Sequence, residues 1–334
     1  EDAGEVFGRW HAVALLDYNS NHNRLLTRLA LMRVKQNVSL QHMKERKIQL
    51  NGQEFHLREW GNTDAPILLM LHGFPEYGAA WSELAGLLSD RYRCIAPDQR
   101  GYGQSYAPAD VENYEMANLV GDMVALIESL EQPVTVVGHD WGAAVAYSLS
   151  MARPDLVNRL VILNGVHPGP FQRALAVGGA QTNASQYMHY LRREDAEERL
   201  SADGYAKLLS LFAEDMDMSW MTPEKKAKYV AEWSRPGRLT GMLNWYRATP
   251  LIIPGPGERI DMPPLPRSSF RVRMPHLLLW GLQDTALLPI SNKGLEAYCD
   301  ALTRVEIEDA DHWIVHQRPN VVAGMIRGWL AAAP

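Results

Sequence analysis

The run VTVVGHDWGAAVAY, residues 134–147, constrains this chain more than any other stretch. Residues 134–137 are an apolar run that reads as a buried strand, and a helical pattern begins near Trp141. Gly138, His139, Asp140, Trp141 and Gly142 must therefore turn sharply between strand and helix. Glycines flank such an elbow because the neighbouring elements leave no room for side chains. The tip residue, Asp140, is expected in an unfavourable backbone conformation that exposes its side chain. The plain alternative is an Asp that caps the following helix. The spacing G-x-D-x-G alone leaves both readings open.

The tip residue narrows the chemistry. A Ser there would suit attack on a carbonyl, but a Ser that attacked saturated carbon would leave an ether that water does not readily cleave. An Asp carboxylate is ionised at neutral pH without a base. It can displace an oxygen or halide from sp3 carbon and leave an ester that water can hydrolyse. Asp140 thus predicts alkyl transfer followed by hydrolysis.

At 334 residues the chain has ample length for one large α/β domain or two smaller ones. A formal net charge of -6, with no dense Lys/Arg tract, argues against a nucleic-acid partner. Cys94 lies in a strand-like run and Cys299 late in a helical pattern. Both read as reduced and unpaired, which suits a cytoplasmic setting. No apolar run is long enough to span a bilayer.

Residues 1–45 read as a helical extension outside the α/β core. Within it Leu25, Leu26, Leu29 and Met32 share one helical face, with Arg24, Arg28 and Lys35 mostly elsewhere. Such a helix fits docking on the domain or on a second subunit of a homodimer. A basic amphipathic helix on a membrane surface is the weaker reading. Residues 47–50 and 54–60 pair across Asn51-Gly52, a strong hairpin signal. Strands are then predicted at 67–71, 93–96, 134–137, 160–163, 277–280 and 304–307. Continuous apolar runs of this kind imply a mainly parallel sheet covered by helices on both faces. The alternation breaks over 165–271, where helical patterns at 186–200 and 205–212 and a helix entered at Thr222-Pro223 lead to a Pro-rich stretch, 250–266. The chain thus divides into a core, 46–164 and 272–334, and a helical cap, 165–271, over the sheet's C-terminal edge.

Three further signals converge on that edge. His72-Gly73-Phe74-Pro75-Glu76 follows a strand, and the backbone N–H groups of Phe74 and Trp141 could form an oxyanion hole. A cis Phe74-Pro75 bond would aim the Phe74 N–H at the Asp140 carboxylate. Asp284 stands just past the strand ending at Trp280, and His312, one of eleven histidines, follows the last strand. Asp309 and Asp311 read as solvated loop residues.

Together HGFPE, DQRGYGQS (residues 98–105), GHDWG, Asp284 after its strand and Asp311-His312-Trp313 resemble the α/β-hydrolase-fold epoxide hydrolases over roughly residues 46–334. The resemblance implies the nucleophile, acid and histidine order Asp140, Asp284, His312. It also implies two cap tyrosines that hold and protonate the epoxide oxygen. Asn244-Trp245-Tyr246-Arg247 matches the second cap motif and so points to Tyr246. Of Tyr187 and Tyr190, the spacing favours Tyr187, and Tyr190 is assigned to packing. NGVHPGP after residue 163 is only loosely like the family's Asn-x-Pro-His-Pro. The expected partner is a small-molecule epoxide, with no metal or organic cofactor. Two rival readings stay open. A haloacid or haloalkane dehalogenase would use the same Asp nucleophile, with His189 and Tyr190 imitating a halide pocket, although Trp141 and Asn164 stand where the haloacid kind carries an Arg and its acid. The other rival is a non-catalytic ligand-binding protein on this scaffold.

Overall fold

The computed structural model describes residues 43–213 and 215–332. The amphipathic segment 24–35, with its subunit or membrane docking, lies outside the described residues.

One eight-stranded sheet has the order β1-β2-β4-β3-β5-β6-β7-β8. β1 (Lys44–Leu50) and β2 (Gln53–Trp60) form the expected antiparallel hairpin. Its turn residues Asn51 and Gly52 have φ of 51° and 77°, the left-handed pair that a two-residue hairpin turn requires. β2 joins the sheet antiparallel to β4 (Arg93–Pro97). All other neighbours are parallel, among β3 (Ile67–Leu71), β4, β5 (Val134–His139), β6 (Val157–Leu163), β7 (Val272–Gly281) and β8 (Cys299–Ile307).

The core helices are α1 (Ser82–Leu88), α2 (Met116–Glu128) and α3 (Trp141–Ala152). Between β6 and β7 the described residues hold α4 (Pro168–Ala176), α5 (Ala180–Ala184), α6 (Tyr187–Leu191), α7 (Ala196–Ala213), α8 (Pro223–Trp233) and α9 (Arg238–Ala248), with no strand among them. After β8 come α10 (Ile314–Gln317) and α11 (Pro319–Ala332). No helix of the described residues is long and apolar enough to cross a membrane.

The strands are buried on both faces because their side chains alternate. Ile67, Leu69 and Leu71 join one apolar cluster with Leu126 of α2 and Val145 of α3, while Leu68 and Met70 join the other with Leu84 of α1 and Ile326 of α11. From β3 the chain moves to β4 on one side, and β5 then lies on the other side of β3. The loops leaving β3 and β5 therefore flank a crevice at the sheet's C-terminal edge, where open α/β sheets bind ligands.

Two readings of the sequence need correction. Cys299 opens β8, paired with Val272, rather than ending a helix, because Leu295 to Tyr298 make only one tight turn before it. The 186–200 pattern is two helices, α6 and the start of α7, parted at residues 192–195. The separation of the 186–200 and 205–212 patterns is as expected: the backbone of α7 reverses at Asp203, Gly204 and Tyr205, with φ values of 49°, 64° and 67°. The entry to α8 is as expected: the Thr222 side chain accepts from the Lys225 N–H, with Pro223 in the first turn.

Close packing at the elbow requires glycine. A Cβ on Gly142 would lie 2.0 Å from the Leu71 carbonyl oxygen, a backbone atom of the central strand that cannot step aside. Gly324 in α11 has open space around the same position. Gly142→Ala should therefore lose more than about 2 kcal/mol of stability in chemical denaturation. Gly324→Ala should gain up to about 1 kcal/mol. Equal stability of wild type and Gly142→Ala would show that strand and helix can separate there.

Candidate active site

Asp140 has φ 51° and ψ -121°, and its side chain makes no capping bond to α3. The capping alternative is thereby removed: the residue sits at a strained elbow with its carboxylate turned away from its own helix. Its carbonyl still starts α3 by accepting from the Ala143 N–H at 3.0 Å.

The loop after β3 closes over the carboxylate. The Phe74 N–H donates to Asp140 Oδ1 at 2.7 Å, and the Phe74-Pro75 peptide is cis. A Cβ on Gly73 would fall 2.2 Å from the same oxygen, so only glycine lets the loop come this near. Trp141 is the first residue of α3, which makes its N–H one of that helix's unpaired donors. The loop is anchored from below. The His72 ring accepts from the Gln99 N–H at 3.1 Å, and Asp98 accepts from the Gly78 N–H at 2.8 Å and binds the Arg58 guanidinium.

On the other side of the carboxylate stands His312. Its Nδ1 donates to Asp284 Oδ2 at 2.9 Å, which leaves Nε2 facing Asp140 Oδ2 at 3.7 Å. Burial works against the imidazolium, but the Asp284 carboxylate, helped by Asp140 and Asp311, outweighs it and holds His312 up at about 9. Asp284 Oδ1 is in turn fixed by the N–H groups of Ala286 and Leu287, at 2.9 and 2.8 Å.

Tyr246 of α9 and Tyr187 of α6 face this group from the helical insertion. Tyr246 is buried against the rings of Phe74 and Trp141, at centroid distances of 5.0 and 5.2 Å. The Tyr187 ring meets Tyr246 edge-on at 6.2 Å. Burial raises both phenols well above their usual range, and the Asp140 charge adds to it, so both keep their protons. Tyr190 is half-buried, with the Lys207 ammonium 5.6 Å over its ring, which fits the packing role. His189 gives Nε2 to the Ile253 carbonyl at 3.0 Å rather than to a pocket.

The sequence does not reveal the roles of several residues here. Asn164, at the end of β6 with φ 33°, donates to Asp284 Oδ2 at 2.8 Å and accepts from the Gly281 N–H at 2.8 Å, so it aims the acid. Its place at the C-terminal edge of a central strand was the available signal. Glu76 is buried and accepts from His316 Nε2 at 2.6 Å and from the Tyr229 hydroxyl at 2.7 Å. Burial would raise its carboxyl, but the two facing histidines, His316 and His139, hold it well below the usual range. His139 also donates Nε2–H to the His312 carbonyl at 2.8 Å. Asp311, read as solvated, is 3% exposed and accepts from the N–H groups of Trp313 and Asp217, both at 2.8 Å. Asp309 pairs at the surface with Arg318.

A strained Asp elbow, a backbone donor on its carboxylate and a buried Asp-His pair define a hydrolase site of the α/β type, and comparison with known proteins agrees. Residues 66–319 match the alpha/beta hydrolase fold family model. The AB hydrolase superfamily protein YfhM of Bacillus subtilis is 32% identical, covering 85% of this chain and 96% of that protein. Epoxide hydrolase 2 of Caenorhabditis elegans is 31% identical over 82% of this chain and 76% of its own length. A solved structure among novel epoxide hydrolases from hot-environment metagenomes is 36% identical, covers 87% of this chain and 99% of that one, and superposes with a TM-score of 0.79. The chain belongs to the α/β-hydrolase-fold family, in its epoxide hydrolase branch.

The Asp284–His312 pair has a titration signature. The folded pKa of His312, about 9, exceeds the free value of about 6.5. The pair therefore stabilises the fold fully below pH ~6.5, and that contribution is lost as pH rises through about 9. In Asp284→Asn, burial should dominate and His312 should titrate below its ordinary value, as read by NMR of the imidazole carbons. A His312 still titrating near 9 in that variant would contradict this assignment of cause.

Proposed function

We propose that the chain hydrolyses an epoxide to a vicinal diol through a covalent alkyl ester on Asp140. The observation that carries this reading is the division of labour between the two carboxylate oxygens. Oδ1 is held at 2.7 Å by the Phe74 N–H, while Oδ2 faces His312 Nε2 at 3.7 Å. In the first half-reaction Oδ2 attacks an epoxide carbon and the C–O bond of the ring breaks. Tyr187 and Tyr246 donate to the departing oxygen, which takes a proton from one of them and becomes a hydroxyl. The insertion, residues 165–271, serves as the cap that brings these phenols over the nucleophile.

In the second half-reaction water attacks the ester carbonyl carbon. The carbonyl oxygen is then Oδ1, already seated on the Phe74 N–H, so negative charge develops where a donor waits and the Trp141 N–H can join it. His312, oriented by Asp284, removes the proton from that water. A histidine near 9 is protonated at neutral pH and cannot be a base, but alkylation cancels the Asp140 charge that helps hold it there. With that contribution gone, the imidazolium returns a proton to the tyrosinate left by ring opening, and the neutral His312 that results acts as the base. The names of the similar proteins support the epoxide as substrate.

The roles separate in variants. His312→Gln should still open the ring but not clear the ester, so incubation with styrene oxide should add the whole substrate mass to the peptide containing Asp140, and Asp140→Asn should gain nothing. A haloalkane adduct would lack the departing halogen, so the same mass spectrum separates the dehalogenase reading. In wild type the ester should accumulate most at low pH, where His312 stays protonated. Tyr187→Phe or Tyr246→Phe alone should slow ring opening, and the double variant should lose it by about 10²-fold or more. Full activity of the double variant would rule out the two-phenol assignment.

A further inference from the structure

We propose that Arg192 is a positioning residue that locks the Tyr187 helix to the Tyr246 helix and so sets the convergence of the two phenols. The proposal rests on the roles given to those tyrosines above.

The need for such a lock arises from the sequence after Tyr246. α9 ends at Ala248, and Thr249 is extended, with φ -70° and ψ 136°, as a residue before proline prefers. In a continuing helix the Tyr246 carbonyl would accept from the N–H of residue 250. Residue 250 is Pro and has none, so the carbonyl of a site tyrosine is left without its helical donor.

Arg192 supplies one. Its Nε donates to the Tyr246 carbonyl at 2.8 Å, and its Nη2 donates to the Leu251 carbonyl at 3.0 Å, across the proline. Arg192 is the residue directly after α6, whose first residue is Tyr187. One planar guanidinium therefore ties the end of one tyrosine-bearing helix to the end of the other. The choice of partners argues against a surface arginine settled by chance. Acidic groups are close by and occupied by neighbours: Arg247 takes Glu197 at 2.7 Å, and Arg193 takes Asp195 at 2.6 Å. Arg192 forms no ion pair among the described residues and gives itself to two carbonyls at a helix C-terminus, where a cation is favoured. It does so half-buried, and desolvation lowers its pKa.

Ring opening needs both hydroxyls on one oxygen atom, whereas ester breakdown depends on His312 and the Phe74 N–H. Slippage of α6 against α9 should therefore affect the first step only. A misplacement of about 1 Å costs on the order of 10²-fold in rate.

The test is single-turnover kinetics with styrene oxide, following ester formation and breakdown separately by rapid quench and mass spectrometry. Arg192→Met should form the ester at least ten times more slowly, with breakdown within twofold of wild type. Arg192→Lys, which keeps a donor for the Tyr246 carbonyl, should recover most of the lost rate. An unchanged formation rate in Arg192→Met, or formation and breakdown falling together, would overturn the proposal. Should Arg192→Met fail to fold, Arg192→Gln takes its place under the same criteria, and failure of both to fold would make Arg192 a stability residue and also overturn it. A wild type that forms no adduct on Asp140 would instead overturn the proposed function.

Discussion

The structure depends on one backbone conformation: the positive φ of Asp140 at the junction of β5 and α3. An L-residue with a side chain does not adopt φ 51° and ψ -121° unless its surroundings leave no alternative. Here those surroundings are the close fit of Gly142 against the Leu71 carbonyl and of Gly73 against the carboxylate itself. The central strands are buried on both faces, so neither partner can retreat. The burial that holds the sheet together thus also keeps the Asp140 carboxylate turned out of its helix at the sheet's edge.

From that point the electrostatics follow. A carboxylate placed among buried groups needs compensation, and it receives it unequally: a backbone donor on Oδ1, and across from Oδ2 a histidine held protonated by a second carboxylate. The phenols above it are kept neutral by burial and by the same charge. The two phenols and His312 therefore keep their protons beside the Asp140 carboxylate. The proposed chemistry needs the phenols in that state for the first step, and formation of the ester would remove one of the charges that hold His312 protonated before the second.

The parts legible in the sequence were those whose meaning is set by position along the chain. Asp140 between two glycines, Asp284 just after a strand and His312 after the last strand each occupy a place that parallel-sheet topology carries to one edge, and the structure brings all three together with Phe74. The hairpin at Asn51-Gly52 and the helix entry at Thr222-Pro223 were legible because turn and cap chemistry are local. What was not legible depended on partners distant in sequence. Asn164 acquires its role from Asp284, 120 residues on, and Glu76 from His316, 240 residues on. Asp311 looks like a loop acid until the insertion's Asp217 N–H seals it in. Cys299 was misplaced because the apolar spacing before it imitates a helix where the chain makes a single turn.

The covalent mechanism requires that the oxygen delivered to substrate come first from Asp140. A single turnover in water enriched in oxygen-18, with enzyme in excess over styrene oxide, measures this directly. In the covalent mechanism the first diol carries no label and the label appears in the peptide containing Asp140, since water attacks the ester carbonyl and the original carboxylate oxygen leaves with the product. A labelled diol in that first turnover, with an unlabelled Asp140 peptide, would mean that water attacks the epoxide itself and would contradict the covalent mechanism.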